Sequence, residues 1–114
     1  MLEVTFYRDS HGRVAGLRAC GHADFAARGE DIVCAAASAI LQAARLGLTE
    51  YAGANITPRQ NPGELELTWS ERDRDLESVR AIAATAELAI EQIAQRYPAH
   101  VRLRRVDVRR VAKR

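Results

Sequence analysis

The sequence predicts an α+β domain of two layers, with two main helices packed on an antiparallel or mixed sheet in the order β-β-α-β-β-α-β. Three observations carry this expectation. Residues 2–8 alternate Leu2, Val4 and Phe6 against Glu3, Thr5 and Tyr7, the period of a strand with one buried face. Residues 32–52 are helix formers without a proline, and residues 76–97 carry apolar side chains at three- and four-residue steps until Pro98 ends the pattern.

The elements follow in order. Asp9-Ser10-His11-Gly12 reads as a turn, and residues 13–20, with Val14, Leu17 and Ala19, return as the second strand of an antiparallel hairpin. Residues 21–31 form a loop bracketed by Gly21 and Gly29. A helix is expected from Ile32 to about Ala52, with Asp31 as its N-cap and Gly53 as its stop. Its first half, Ile32 to Leu41, is apolar on nearly every face apart from Cys34 and Ser38, which asks for burial on more than one side. A sheet on one side and a partner subunit on the other would satisfy it.

A second hairpin joins residues 55–60 and 64–70 around Asn61-Pro62-Gly63, where Leu65, Leu67 and Trp69 alternate with Glu64, Glu66 and Thr68. The second helix places Leu76, Val79, Ala83, Ala86, Ile90, Ile93 and Tyr97 on one stripe, and Val101 and Leu103 suggest a last short strand.

At 114 residues the chain fits one core, and with aromatics at only 5% that core is built from small and aliphatic side chains. The formal charge of +2 conceals an asymmetry: residues 102–114 hold seven of the 17 Lys and Arg and one acid, a local charge of +6 against −4 for the rest. The expected division is a domain over residues 1–104 and a basic tail over 105–114.

Met1-Leu-Glu-Val-Thr5 lacks the basic and apolar regions of an export signal, and the apolar runs read as shorter than the roughly 20 residues that span a bilayer. A cytoplasmic protein without membrane contact is therefore expected. In a reducing compartment its two cysteines, Cys20 and Cys34, are free thiols rather than a structural disulfide.

The chemistry gathers at the first loop. His22 stands at a strand end and Cys34 in the first turn of a helix, and the eleven residues between them exceed an ordinary strand-to-helix connection. Such a loop can fold the imidazole over the sulfur. A free thiol titrates near roughly 8.5, and a helix N-terminus together with an imidazolium would stabilise the thiolate. His22 would take the thiol proton and return it to a leaving amine. The amides of Cys34 and Ala35 are candidate donors to an oxyanion.

Set against this, a cysteine in an Ala-rich helix is commonly an inert core residue. Asp31 beside the nucleophile is a candidate to orient His22 as well as to cap the helix, and it would raise the thiol pKa. Ser38, one turn after Cys34, would hydrogen-bond in the site or back to the Cys34 carbonyl. Cys20 shares strand parity with His22, so Cys20, His22 and Cys34 could converge as a zinc set, or the two thiols could form a reversible disulfide. Without a fourth zinc ligand at familiar spacing, a buried strand residue is the simpler reading of Cys20, and neither metal nor cofactor is called for.

Gly21-His22-Ala23, followed at fixed spacing by Gly29, Asp31-Ile32-Val33-Cys34-Ala35-Ala36 and Ser38-Ala39, resembles the signature of the ribosomal-processing cysteine protease family Prp. The resemblance covers about residues 2–104. It implies an endopeptidase that removes the N-terminal extension of the twenty-seventh protein of the large ribosomal subunit, with His22 and Cys34 as the catalytic pair and Gly21, Ala23 and Gly29 in the loop near substrate. It also implies a homodimer and a substrate with paired aromatic residues before the cut. The basic tail adds a possible contact with ribosomal RNA, since clustered arginine neutralises phosphate. The rival reading is a non-catalytic, homodimeric module bound to the ribosome or to RNA through that tail.

Overall fold

A computed structural model describes residues 1–21 and 31–108. The elements are β1 (Leu2–Arg8), β2 (Val14–Cys20), α1 (Asp31–Leu46), β3 (Ile56–Asn61), β4 (Glu64–Trp69), α2 (Glu77–Arg96) and β5 (Val101–Asp107). The five strands form one sheet in the order β3-β4-β2-β1-β5. Only the β1–β5 pair is parallel, so the sheet is mixed, and both helices pack on one of its faces.

The strand alternation sorts the side chains as the sequence predicts. Leu2, Val4 and Phe6 of β1, Leu17 and Ala19 of β2, and Leu65, Leu67 and Trp69 of β4 all face the helices and are buried. Fully burying a side chain such as Phe6 or Leu67 contributes about 1.5–3 kcal/mol. Trp69 keeps its indole nitrogen satisfied by donating to the Val14 carbonyl at 3.0 Å.

In α1 the buried residues Val33, Ala37, Leu41 and Ala44 repeat at three- and four-residue steps, and Leu48 continues the stripe into a widened turn, Gly47–Tyr51. There the Ala52 amide reaches back five residues to the Gly47 carbonyl, at 2.9 Å. Gly53, at φ +67°, ends the helical run where the sequence placed its stop. By length and composition alone, Ile32–Tyr51 is sufficient to cross a bilayer, contrary to the sequence expectation, because its many alanines add hydropathy without long side chains. Its Val33-to-Leu48 stripe is nevertheless packed on the sheet.

The bounds of α2 and of the last strand differ from expectation. Leu76 and Tyr97 cap α2 rather than belonging to it, and both are exposed, so the core stripe runs from Val79 to Ile90 with Ile93 partly buried. The last strand extends to Asp107, into the segment assigned to the tail, and the Val108 amide donates to the Arg8 carbonyl at 2.8 Å. Arg105 is part of the folded unit, because it pairs with the buried Glu87 that also accepts from Arg8 at 2.8 Å.

The β1–β2 turn is organised by Asp9. One carboxylate oxygen accepts the amides of His11 at 2.9 Å and Arg13 at 3.0 Å, and the other accepts from the side chains of Arg13 and Arg74, each at 3.0 Å. Burial disfavours the charge, but these donors outweigh it and lower the Asp9 pKa to about 2.

Candidate active site

The end of β2 is held in place by a glycine that no other residue can replace without strain. Gly21 has φ +87°, and a Cβ there would lie 2.4 Å from the carbonyl oxygen of Met1. Its amide donates to the Gly63 carbonyl at 3.1 Å. The strand that leads into His22 is thereby tied both to the start of β1 and to the β3–β4 turn.

Cys34 enters from the other side, on the first turn of α1, and is half-buried. It lines a cavity of about 170 Å³ between the helix and the sheet end. The floor is apolar, from Leu2, Ala19, Leu41 and Leu65. Ser38, Gln42, Gln60, Asn61 and Glu64 supply a polar rim, and Gly21 and Gly63 close the wall. Gln60 also accepts from Arg45 at 3.3 Å, linking β3 to α1 beside the cavity.

The structure thus brings Cys34, Ser38 and Gly21 to one cavity. His22, Ala23, Gly29 and the Asp31 side chain lie outside the described residues. The described part of α1 begins at Asp31. Ala35 follows Cys34 on the first turns of α1 and is exposed.

Cys20 does not converge on Cys34. It pairs with Glu3 and Glu64 across the neighbouring strands, on the face opposite to Ala19 and the helices, so the sheet separates the two sulfurs. Both cysteines are free. The strand parity Cys20 shares with His22 was legible in the sequence, but not that α1 packs against the other face. Among the described residues no group of three or more His, Cys, Asp and Glu is placed to hold a metal ion. The rim residues Gln42, Gln60 and Asn61 carried no sequence signal, because they meet Cys34 only when the β3–β4 hairpin folds beside α1.

Residues 1–102 match the family model described as cysteine protease Prp. The fold is similar to that of a ribosomal processing protease Prp from S. aureus in complex with a covalently linked product peptide, with a TM-score of 0.82 and 23% identity over 92% of this chain and 99% of that one. The same S. aureus protease in complex with a substrate peptide gives a TM-score of 0.81 at 23% identity, covering 92% of this chain and 99% of that one. SMU.848 from Streptococcus mutans gives 0.84 at 24% identity, covering 94% and 95% of the two chains. No curated protein matches the chain.

Proposed function

Because the chain belongs to the cysteine protease Prp family, we propose that it is an endopeptidase with Cys34 as nucleophile and His22 as general base and acid. The observation that carries the proposal is that Cys34, on the first turn of α1, shares one cavity with Gly21, the residue joined to His22.

His22 takes the thiol proton, and the sulfur attacks the scissile carbonyl carbon to give a tetrahedral oxyanion. The amides of Cys34 and Ala35, at the start of α1, are the donors proposed for that charge. Collapse breaks the carbon–nitrogen bond, the amine departs with the proton from His22, and a thioester remains on Cys34. His22 then deprotonates water, which attacks the thioester, releases the new carboxyl terminus and restores the thiol. The apolar floor suits an apolar side chain beside the cut, and the amide groups of Gln42, Gln60 and Asn61 suit an extended peptide backbone.

The substrate we propose is the N-terminal extension of the twenty-seventh large-subunit ribosomal protein, cut in the cytoplasm during ribosome maturation. The active form we propose is a homodimer. Its support is the outward side of α1, where Ile32, Leu46 and the alanines 35, 36 and 39 are exposed, and the apolar groove that Ile40, Ala43, Ile82 and Ala89 line between the helices.

The test is cleavage of that N-terminal peptide, taken from the same organism, by purified protein. Cys34→Ala is expected to lower the rate by about three orders of magnitude or more. Equal cleavage by the variant would refute the proposal.

A further inference from the structure

The sheet has a second face, which no helix among the described residues covers. Strand pairing sets its side chains in rows across the strands. The middle row runs Arg59, Glu66, Arg18, Thr5, Arg104 from β3 to β5. With strands about 4.8 Å apart, its three arginines stand roughly 10 Å from one another along the row.

The charges on this face are not level. Arg59, Arg18 and Arg104 are 74%, 40% and 53% exposed, whereas Glu66, Glu64 and Glu3 are 25%, 34% and 30% exposed. Arg59 and Arg104 stand outward of Glu66 and Glu3, while Arg18 is nearly level with Glu64, to which it donates at 2.7 Å. Glu3 is moreover shared between Arg102 and Arg104, at 3.8 and 3.9 Å, so β5 keeps a surplus positive charge. In the next row Tyr7 sits beside Gly16, which has no side chain, and remains partly exposed. A sheet face with a partly exposed aromatic ring and outward arginines suits stacking on a base and neutralising phosphates.

We propose that this face binds single-stranded RNA, with Arg59, Arg18 and Arg104 on phosphates and Tyr7 against a base. The choice of RNA rests on the reading of the chain as a ribosomal-processing protease, whose substrate protein is surrounded by RNA. The face lies across the sheet from Cys34, so RNA and peptide would be held at once.

The test is fluorescence anisotropy of the full chain with a labelled 20-nucleotide unstructured RNA between 50 and 200 mM KCl, with peptide cleavage measured in parallel. The expected slope of log K against log salt is about −2, from three phosphate contacts on a single strand. Arg59→Gln with Arg104→Gln should reduce the slope to about −1, and Tyr7→Leu should weaken binding about tenfold at unchanged slope. All variants should cut peptide normally, which separates failure here from failure of the protease reading. Absence of RNA binding at 50 mM KCl overturns the proposal. So does equal binding by a folded variant that combines Arg59→Gln, Arg104→Gln and Tyr7→Leu, tighter binding of polyglutamate than of RNA, or loss of all binding in a chain ending at Val108.

Discussion

The amide of Gly21 donates to the carbonyl of Gly63 at 3.1 Å, and this bond fixes the strand before His22 against the turn that walls the Cys34 cavity. Gly21→Ala would force a Cβ into the Met1 carbonyl at a φ that L-residues resist. The expected cost is about 1–3 kcal/mol in urea unfolding, together with a fall in peptide cleavage larger than stability alone accounts for. A variant as stable and active as the parent would show that this junction does not position the site.

Asp9 makes stability depend on acid. Its folded pKa, about 2, lies below the 3.8 of an unperturbed aspartate, so its stabilisation is complete above about pH 4 and is lost as pH falls toward 2. That shift corresponds to about 2 kcal/mol at neutral pH. Asp9→Asn should therefore be much less stable than the parent at pH 6, and the gap should narrow at pH 2.5. A gap of equal size at both pH values would contradict the assignment.

The strands, both helices and the stop at Gly53 were legible because each is encoded locally, by alternation, by an apolar stripe, or by a residue that turns the chain. Cys34 was legible for the same reason, since the helix start and the glycines around the loop are neighbours in sequence. What the sequence left hidden is held by distant pairings. Asp9 looked like an ordinary turn residue, yet it organises Arg13 and Arg74. Glu87 sat in the helix pattern as a polar residue, yet it is buried between Arg8 and Arg105, which ties Arg105 in the last strand to α2.

Cys20 provides a control for Cys34, the proposed nucleophile. It lies on the sheet face away from α1, so Cys20→Ala should retain parental cleavage. Alkylation of Cys34 by iodoacetamide should abolish cleavage in Cys20→Ala as it does in the parent. A cleavage defect in Cys20→Ala as deep as in Cys34→Ala would reopen the case for joint action.

The dimer has its own test. Ala43 is exposed and lines the apolar groove between α1 and α2. Arginine there would place an unpaired charge in a buried interface, so sedimentation of Ala43→Arg should report a monomer where the parent sediments as a dimer. A parent that is monomeric at micromolar concentration, or an unchanged variant, would remove the dimer from the account.

The most direct measurement is mass spectrometry of the acyl intermediate. Parent protein is mixed with the ribosomal N-terminal peptide and quenched in acid within the first turnover, and the adduct is mapped by digestion. The account predicts the thioester on Cys34, in the parent and in Cys20→Ala alike, and no adduct in Cys34→Ala. Cleavage that proceeds with the adduct on Cys20, or without any adduct and undiminished in Cys34→Ala, would contradict it.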